Sequence, residues 1–165
     1  MDTKTIFAGA IVLLAIGGLF FWGRVNQAAS SETPSVRASA LAAAEVFYDF
    51  GEISMKNGNV EKIFEIENPT DKDITLASLM TSCMCTNAYI VKGAARRGPF
   101  GMQGHSGPVP RANEIIPAGG TLAIAVVYDP NAHGPAGVGA IDRFVYLVDD
   151  EGGQLSFEIK ANVTP

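Results

Sequence analysis

Both cysteines of the chain fall within Thr81-Ser82-Cys83-Met84-Cys85-Thr86, with strand-like segments on either side. In an extended chain alternate side chains share a face, so Cys83 and Cys85 point the same way with Cα atoms about 6.6 Å apart. That separation lies at the outer edge of disulfide geometry. A bridge there requires local puckering and favours an easily reduced bond over a structural staple. Two thiolates on one face also suit a soft ion such as Cu(I), with Met84, Met102, His105 or His133 as helping ligands. The third reading is two small, partly buried apolar side chains at a strand end, because free cysteine is among the most buried residue types. A lone C-x-C lacks the ligand set of a zinc site, so the three readings stand side by side. The chain contains no H-E-x-x-H, G-x-S-x-G or phosphate-binding loop, and the expectation is a protein that is not an enzyme.

The elements that would carry these residues follow from pattern and composition. With 165 residues, 47% of them hydrophobic, the chain has enough material for one domain with a real core plus appendages. Lys+Arg 12 against Asp+Glu 17 leaves no basic footprint, which excludes nucleic acid as the expected partner. Thr5 to Gly23 carries no charge. As a helix its length approaches the hydrocarbon thickness of a bilayer, about 30 Å, and exceeds the apolar core of a cleaved signal. Residues 1–24 therefore read as an N-terminal transmembrane anchor or uncleaved signal, and the Ala/Ser-rich residues 25–43 as a tether that could end in a helical turn. From Glu45 the pattern has period two. Val46, Tyr48 and Phe50 suit a first strand, Lys56-Asn57-Gly58-Asn59 a hairpin turn, and Val60 to Glu67 a second strand with Val60, Phe64 and Ile66 on one face.

Ile74 to Met80 leads into the cysteine motif, and Ala88 to Val91 resumes as a short strand. Residues 92–114, rich in Gly and Pro, read as a long loop that cannot form a regular element. Thr121 to Tyr128 places Leu122, Ile124, Val126 and Tyr128 together, and Ala140 to Val148 is apolar on both faces, as in a central strand. Asp149 to Gly153 reads as a solvated hairpin tip. The last strand puts Leu155, Phe157, Ile159, Ala161 and Val163 inward. The expected fold is all-β, an antiparallel sandwich of about seven strands over residues 44–165, preceded by one N-terminal membrane helix.

Tyr48-Asp49-Phe50-Gly51, Ser82-Cys83-Met84-Cys85-Thr86 and Ile116-Pro117-Ala118-Gly119-Gly120-Thr121 together resemble the bacterial domain of unknown function 1573. The resemblance covers about Glu45 to Val163. It implies an immunoglobulin-like sandwich related to the ASH and major-sperm-protein folds, usually exported, with no established biochemical activity. Met84 stands where that family usually has Gly, and the 92–114 stretch is longer than expected. The leading expectation is a membrane-anchored, extracytoplasmic (periplasmic) envelope protein whose immunoglobulin-like domain binds another envelope protein. The alternative is a Cu(I)-binding or thiol redox protein that uses Cys83 and Cys85.

Overall fold

The computed structural model describes residues 17, 18, 36–104 and 111–165. The expected membrane helix, apart from the helical Gly17 and Gly18, lies outside the described residues, as does His105. Among the described residues no helix is long and apolar enough to cross a membrane. Val36–Pro165 forms one compact unit.

This unit is all β, with ten strands: β1 (Ala42–Ala43), β2 (Phe47–Ser54), β3 (Val60–Glu67), β4 (Ile74–Thr81), β5 (Thr86–Lys92), β6 (Ala95–Phe100), β7 (Arg111–Ile116), β8 (Thr121–Tyr128), β9 (Gly139–Asp149) and β10 (Gln154–Thr164). They form two five-stranded sheets, ordered β1-β3-β8-β5-β6 and β2-β10-β9-β4-β7. The alternation read in β3, β8 and β10 sets their faces. Phe64, Ile66, Leu122, Ile124, Val126, Phe157, Ile159, Ala161 and Val163 are buried, while Glu65, Ser156 and Asn162 are exposed. The inner faces meet where Phe64 stacks on Phe157 at 4.4 Å between ring centroids. β9 pairs with both β10 and β4, the central position that its two apolar faces imply.

Several expectations need correction. Among the described residues the strands number ten, not about seven. The sandwich is not wholly antiparallel, because β2 runs parallel to β10. The leading segment is divided, with β1 on β3 in one sheet and β2 on β10 in the other. The Lys56–Asn59 turn is consequently no hairpin: it joins strands of different sheets. Ser54 Oγ caps its single 3-10 turn by accepting from the Lys56 N–H at 3.2 Å, and Gly58, at φ 75°, ends it.

The tether does not reach residue 43, since Leu41 is buried in the core and Ala42–Ala43 pair as strand where a helical turn was expected. The 92–114 stretch holds β6 and most of β7. Among the described residues β6 pairs only with β5, so Pro99 sits on a sheet edge, where its missing N–H is tolerated. At Gly98 a Cβ would come within 2.9 Å of Ala88 O and of the Tyr89 ring, so what looked like a strand breaker is the residue that lets β6 close on β5.

Candidate functional site

The cysteine motif is the corner at which the chain crosses from β4 in one sheet to β5 in the other. Each of its polar neighbours closes part of that corner. Ser82 extends the β4–β9 ladder, with its N–H donating to Phe144 O (2.9 Å) and its hydroxyl accepting from Phe144 N–H (2.9 Å). The buried Thr81 hydroxyl lies 3.0 Å from Cys83 O and 2.9 Å from Thr86 O, sharing one proton between two carbonyls. Thr86 N–H donates to Cys83 O at 3.1 Å, and Asp129 N–H donates to Cys85 O at 2.9 Å, tying the turn to the end of β8. A Ser-Cys-x-Cys-Thr string thus satisfies its own backbone at a sheet crossover.

The puckered turn brings the Cys83 and Cys85 Cα atoms to 5.3 Å, inside the range of an ordinary bridge, and the two are joined as a disulfide. Their surroundings differ sharply. Cys85 is fully buried and accepts a hydrogen bond from Arg143 Nε at 3.2 Å. Cys83 is partly exposed, with His133 Nε2 3.3 Å from its Sγ. Met84, between them, is 52% exposed. Burial pushes the nearby Tyr128 hydroxyl above its ordinary pKa, against the opposing pull of Arg143.

Of the candidate helpers, the fold brings His133 to the sulfurs: its ring nitrogen and the two Sγ atoms lie within 4.8 Å of one another. His133 sits in the loop after β8, whose Asp129 carboxylate accepts from Asn131 N–H (2.8 Å) and whose Asn131 amide donates to Met55 O (2.9 Å). Met102 bridges Thr81 through its backbone, beside the start of the corner. Arg143 escaped the sequence reading. Its signal was available, as a cation in the middle of a run apolar on both faces, but nothing in the sequence says that β9 lies under the motif.

Two sheets that face each other across one core, with the leading segment divided between them and its second part parallel to the last strand, define an immunoglobulin-like sandwich. Residues 41–101 match the family described as protein of unknown function (DUF1573). That span contains the Ser-Cys-Met-Cys-Thr corner, which carries the resemblance read from the sequence.

Among solved structures, the chain is similar to a protein of unknown function from Porphyromonas gingivalis W83 (TM-score 0.55, 14% identity, 79% of this chain and 51% of that one). It is also similar to a family 123 glycoside hydrolase from Clostridium perfringens (TM-score 0.53, 8% identity, 76% and 27%). The ASH / PapD-like domain 7 of human CEP192 aligns with TM-score 0.42 at 16% identity, over 77% and 87%. At these identities the likeness is one of fold, and the chain spans about half the length of the Porphyromonas protein. No curated protein matches the chain.

Proposed function

We propose that the chain is a non-enzymatic module of the bacterial cell envelope, anchored through Thr5 to Gly23, whose sandwich docks another envelope protein on the extracytoplasmic side. The observation that carries this reading is the surface of the cysteine corner. Met84 is an exposed large apolar side chain at the corner, and the loop that carries His133 to Cys83 adds the exposed Pro135, Ala136 and Val138. Exposed apolar groups gathered in one place mark interaction sites more often than scattered ones do. The first described residues of the domain lie away from this corner, with Ser39 N–H donating to Gln154 O at 3.0 Å beside the β9–β10 turn. The disulfide supports an oxidising compartment, since such bonds are rare in the cytosol.

A photo-crosslinker placed at Met84 in the membrane-bound chain, compared with one at Glu67, tests the reading. Recovery of one discrete envelope protein from position 84 and none from position 67 is expected, and with the crosslinker moved to Val138 the Met84→Gly variant loses that recovery while shifting stability by no more than about 0.5 kcal/mol. Equal labelling from both positions, or none, overturns the docking site.

A soft-metal reading has one observation in its favour, the approach of His133 to Cys83. The Arg143 guanidinium on the other sulfur weighs against it, because it adds positive charge where a cation would have to sit.

A further inference from the structure

We infer that the Cys83–Cys85 pair is a one-equivalent thiol oxidant, accepting two electrons from a protein or peptide dithiol, with Cys83 as the atom attacked and Cys85 as the leaving group. This adds chemistry that the docking reading does not require. The argument rests on the asymmetry of the two sulfurs.

Thiol–disulfide exchange depends on access to the attacked sulfur and on how well the departing sulfur bears negative charge. Cys83 is partly exposed and Cys85 is fully buried, so the bond points from interior to surface and an incoming thiolate can reach only Cys83. As the new bond to Cys83 Sγ forms, the Cys83–Cys85 bond breaks and its electron pair stays on Cys85 Sγ. The Arg143 Nε–H, 3.2 Å away, already points at that atom. Among the described residues no carboxylate forms an ion pair with Arg143, unlike Arg37, Arg96 and Arg97, so its charge is not spent on a neighbouring anion. A cation beside a thiolate favours its formation.

In the second step the partner's other thiolate attacks the partner sulfur of the mixed disulfide. The partner leaves with its own disulfide, and Cys83 departs as a thiolate beside His133 Nε2, 3.3 Å from its Sγ. Two protons from the partner's thiols complete the reduced pair. The domain gains two electrons and two protons, and the partner loses them. Met84, exposed between the two cysteines, gives the incoming chain an apolar hold next to the attacked atom.

The test uses the full chain in detergent with its disulfide intact, so it needs no docking partner. Glutathione is added, exchange is quenched with acid, free thiols are alkylated and the peptides are mapped. The expected result is glutathione on Cys83 and the alkyl group on Cys85. A peptide carrying two cysteines should become oxidised, one equivalent per domain. Arg143→Gln is expected to slow exchange by about tenfold, with Arg143→Lys recovering part of the rate. Adducts divided equally between the cysteines overturn the proposal, as do adducts on Cys85 or an Arg143→Gln rate equal to that of the parent. An inert oxidised protein whose reduced form retains one Cu(I) against glutathione overturns it in favour of a metal site.

Discussion

The turns on the two sides of the sandwich solve the same problem with different materials. Away from the cysteines, the turns after β3 and β9 are closed by buried polar side chains. Asn68 is fully buried, with its amide donating to Lys72 O (2.7 Å), Ile116 O (2.9 Å) and Pro117 O (3.2 Å) and its oxygen accepting from Thr70 N–H (3.1 Å) and Thr70 Oγ (2.7 Å). Asp149 is buried, not solvated as its acidic sequence suggests. Its carboxylate accepts from Ser39 Oγ (2.6 Å), Gly153 N–H (2.6 Å) and Glu151 N–H (3.1 Å). A Cβ on Gly153 would come within 2.5 Å of that carboxylate, so the turn requires glycine there. At the cysteine corner the backbone is equally well satisfied, but the side chains left over are sulfur, imidazole and an exposed thioether. Where side-chain polarity is used up on the backbone, the turn is structural. Where the backbone is satisfied and reactive atoms remain at the surface, the turn is free to do chemistry.

The largest effect separating the two is expected at Asn68. Asn68→Ala leaves several buried backbone groups without partners and should cost about 3 kcal/mol, read from the midpoint and slope of urea denaturation. A loss below about 1 kcal/mol would mean that water replaces the amide and that this side is not locked as described.

An intermediate effect lies at the edge where the two sheets meet. Glu114 on β7 pairs with Lys92 and, at 2.6 Å, with Arg97 on β6, so one carboxylate joins the edge strands of both sheets. Burial pushes the Glu114 carboxyl up, but Lys92 and Arg97 outweigh it and hold its pKa below the ordinary 4.5. A depressed carboxylate contributes stability above its unfolded pKa, and that contribution disappears as pH falls through the lower folded value. Glu114→Gln should therefore cost about 2 kcal/mol at neutral pH and flatten the loss of stability below pH 4.5. Parallel acid limbs in parent and variant would remove Glu114 from the pH response.

How much of this was legible in the sequence depends on the range of the interaction. The faces of β3, β8 and β10 and the central place of β9 were legible because period-two alternation is local. Alternation did not decide the Cys83–Cys85 pair: an extended chain sets the two Cα atoms about 6.6 Å apart, whereas the turn at the corner brings them to 5.3 Å, so a bridge, a metal pair and a buried apolar pair all remained open in the sequence. Glu114, Arg143 and Asp149 were not, since each acts through a partner that is distant in sequence, on another strand or turn: Arg97, Cys85 and Ser39. The hairpin expected at Asn57-Gly58 failed because a turn residue sets a local bend and not the sheet that the next strand joins. The loop expected at 92–114 failed because Gly98 and Pro99 break a central strand but suit an edge. Met84 shows the converse. Among the described residues only Asn113 is a non-glycine at positive φ, so the corner has no conformational need for glycine at 84, and the substitution was open to serve the surface.

The smallest of these three stability effects is expected from opening the disulfide, and it bears most directly on the contrast between the two sides. The bridge spans a sequence separation of 2, so it restrains little of the unfolded chain, and chain-entropy reasoning gives it about 1.5 kcal/mol. The bonds of the Thr81 hydroxyl, of Ser82 and of the Thr86 N–H that shape the corner run to backbone groups and not to the sulfurs, while the Thr86 hydroxyl, 3.7 Å from Cys85 Sγ, and the Cys85 N–H, 3.4 Å from Cys83 Sγ, do touch the bridge. Reduced protein, or Cys83→Ser combined with Cys85→Ser, should thus retain the fold with a loss well below that of Asn68→Ala in the same urea series. A corner that stays folded after reduction can exist in both oxidation states, as electron transfer at Cys83 requires. A loss of 3 kcal/mol or more would instead make the bridge a structural staple, and the two sides of the sandwich would then be locked by the same kind of necessity.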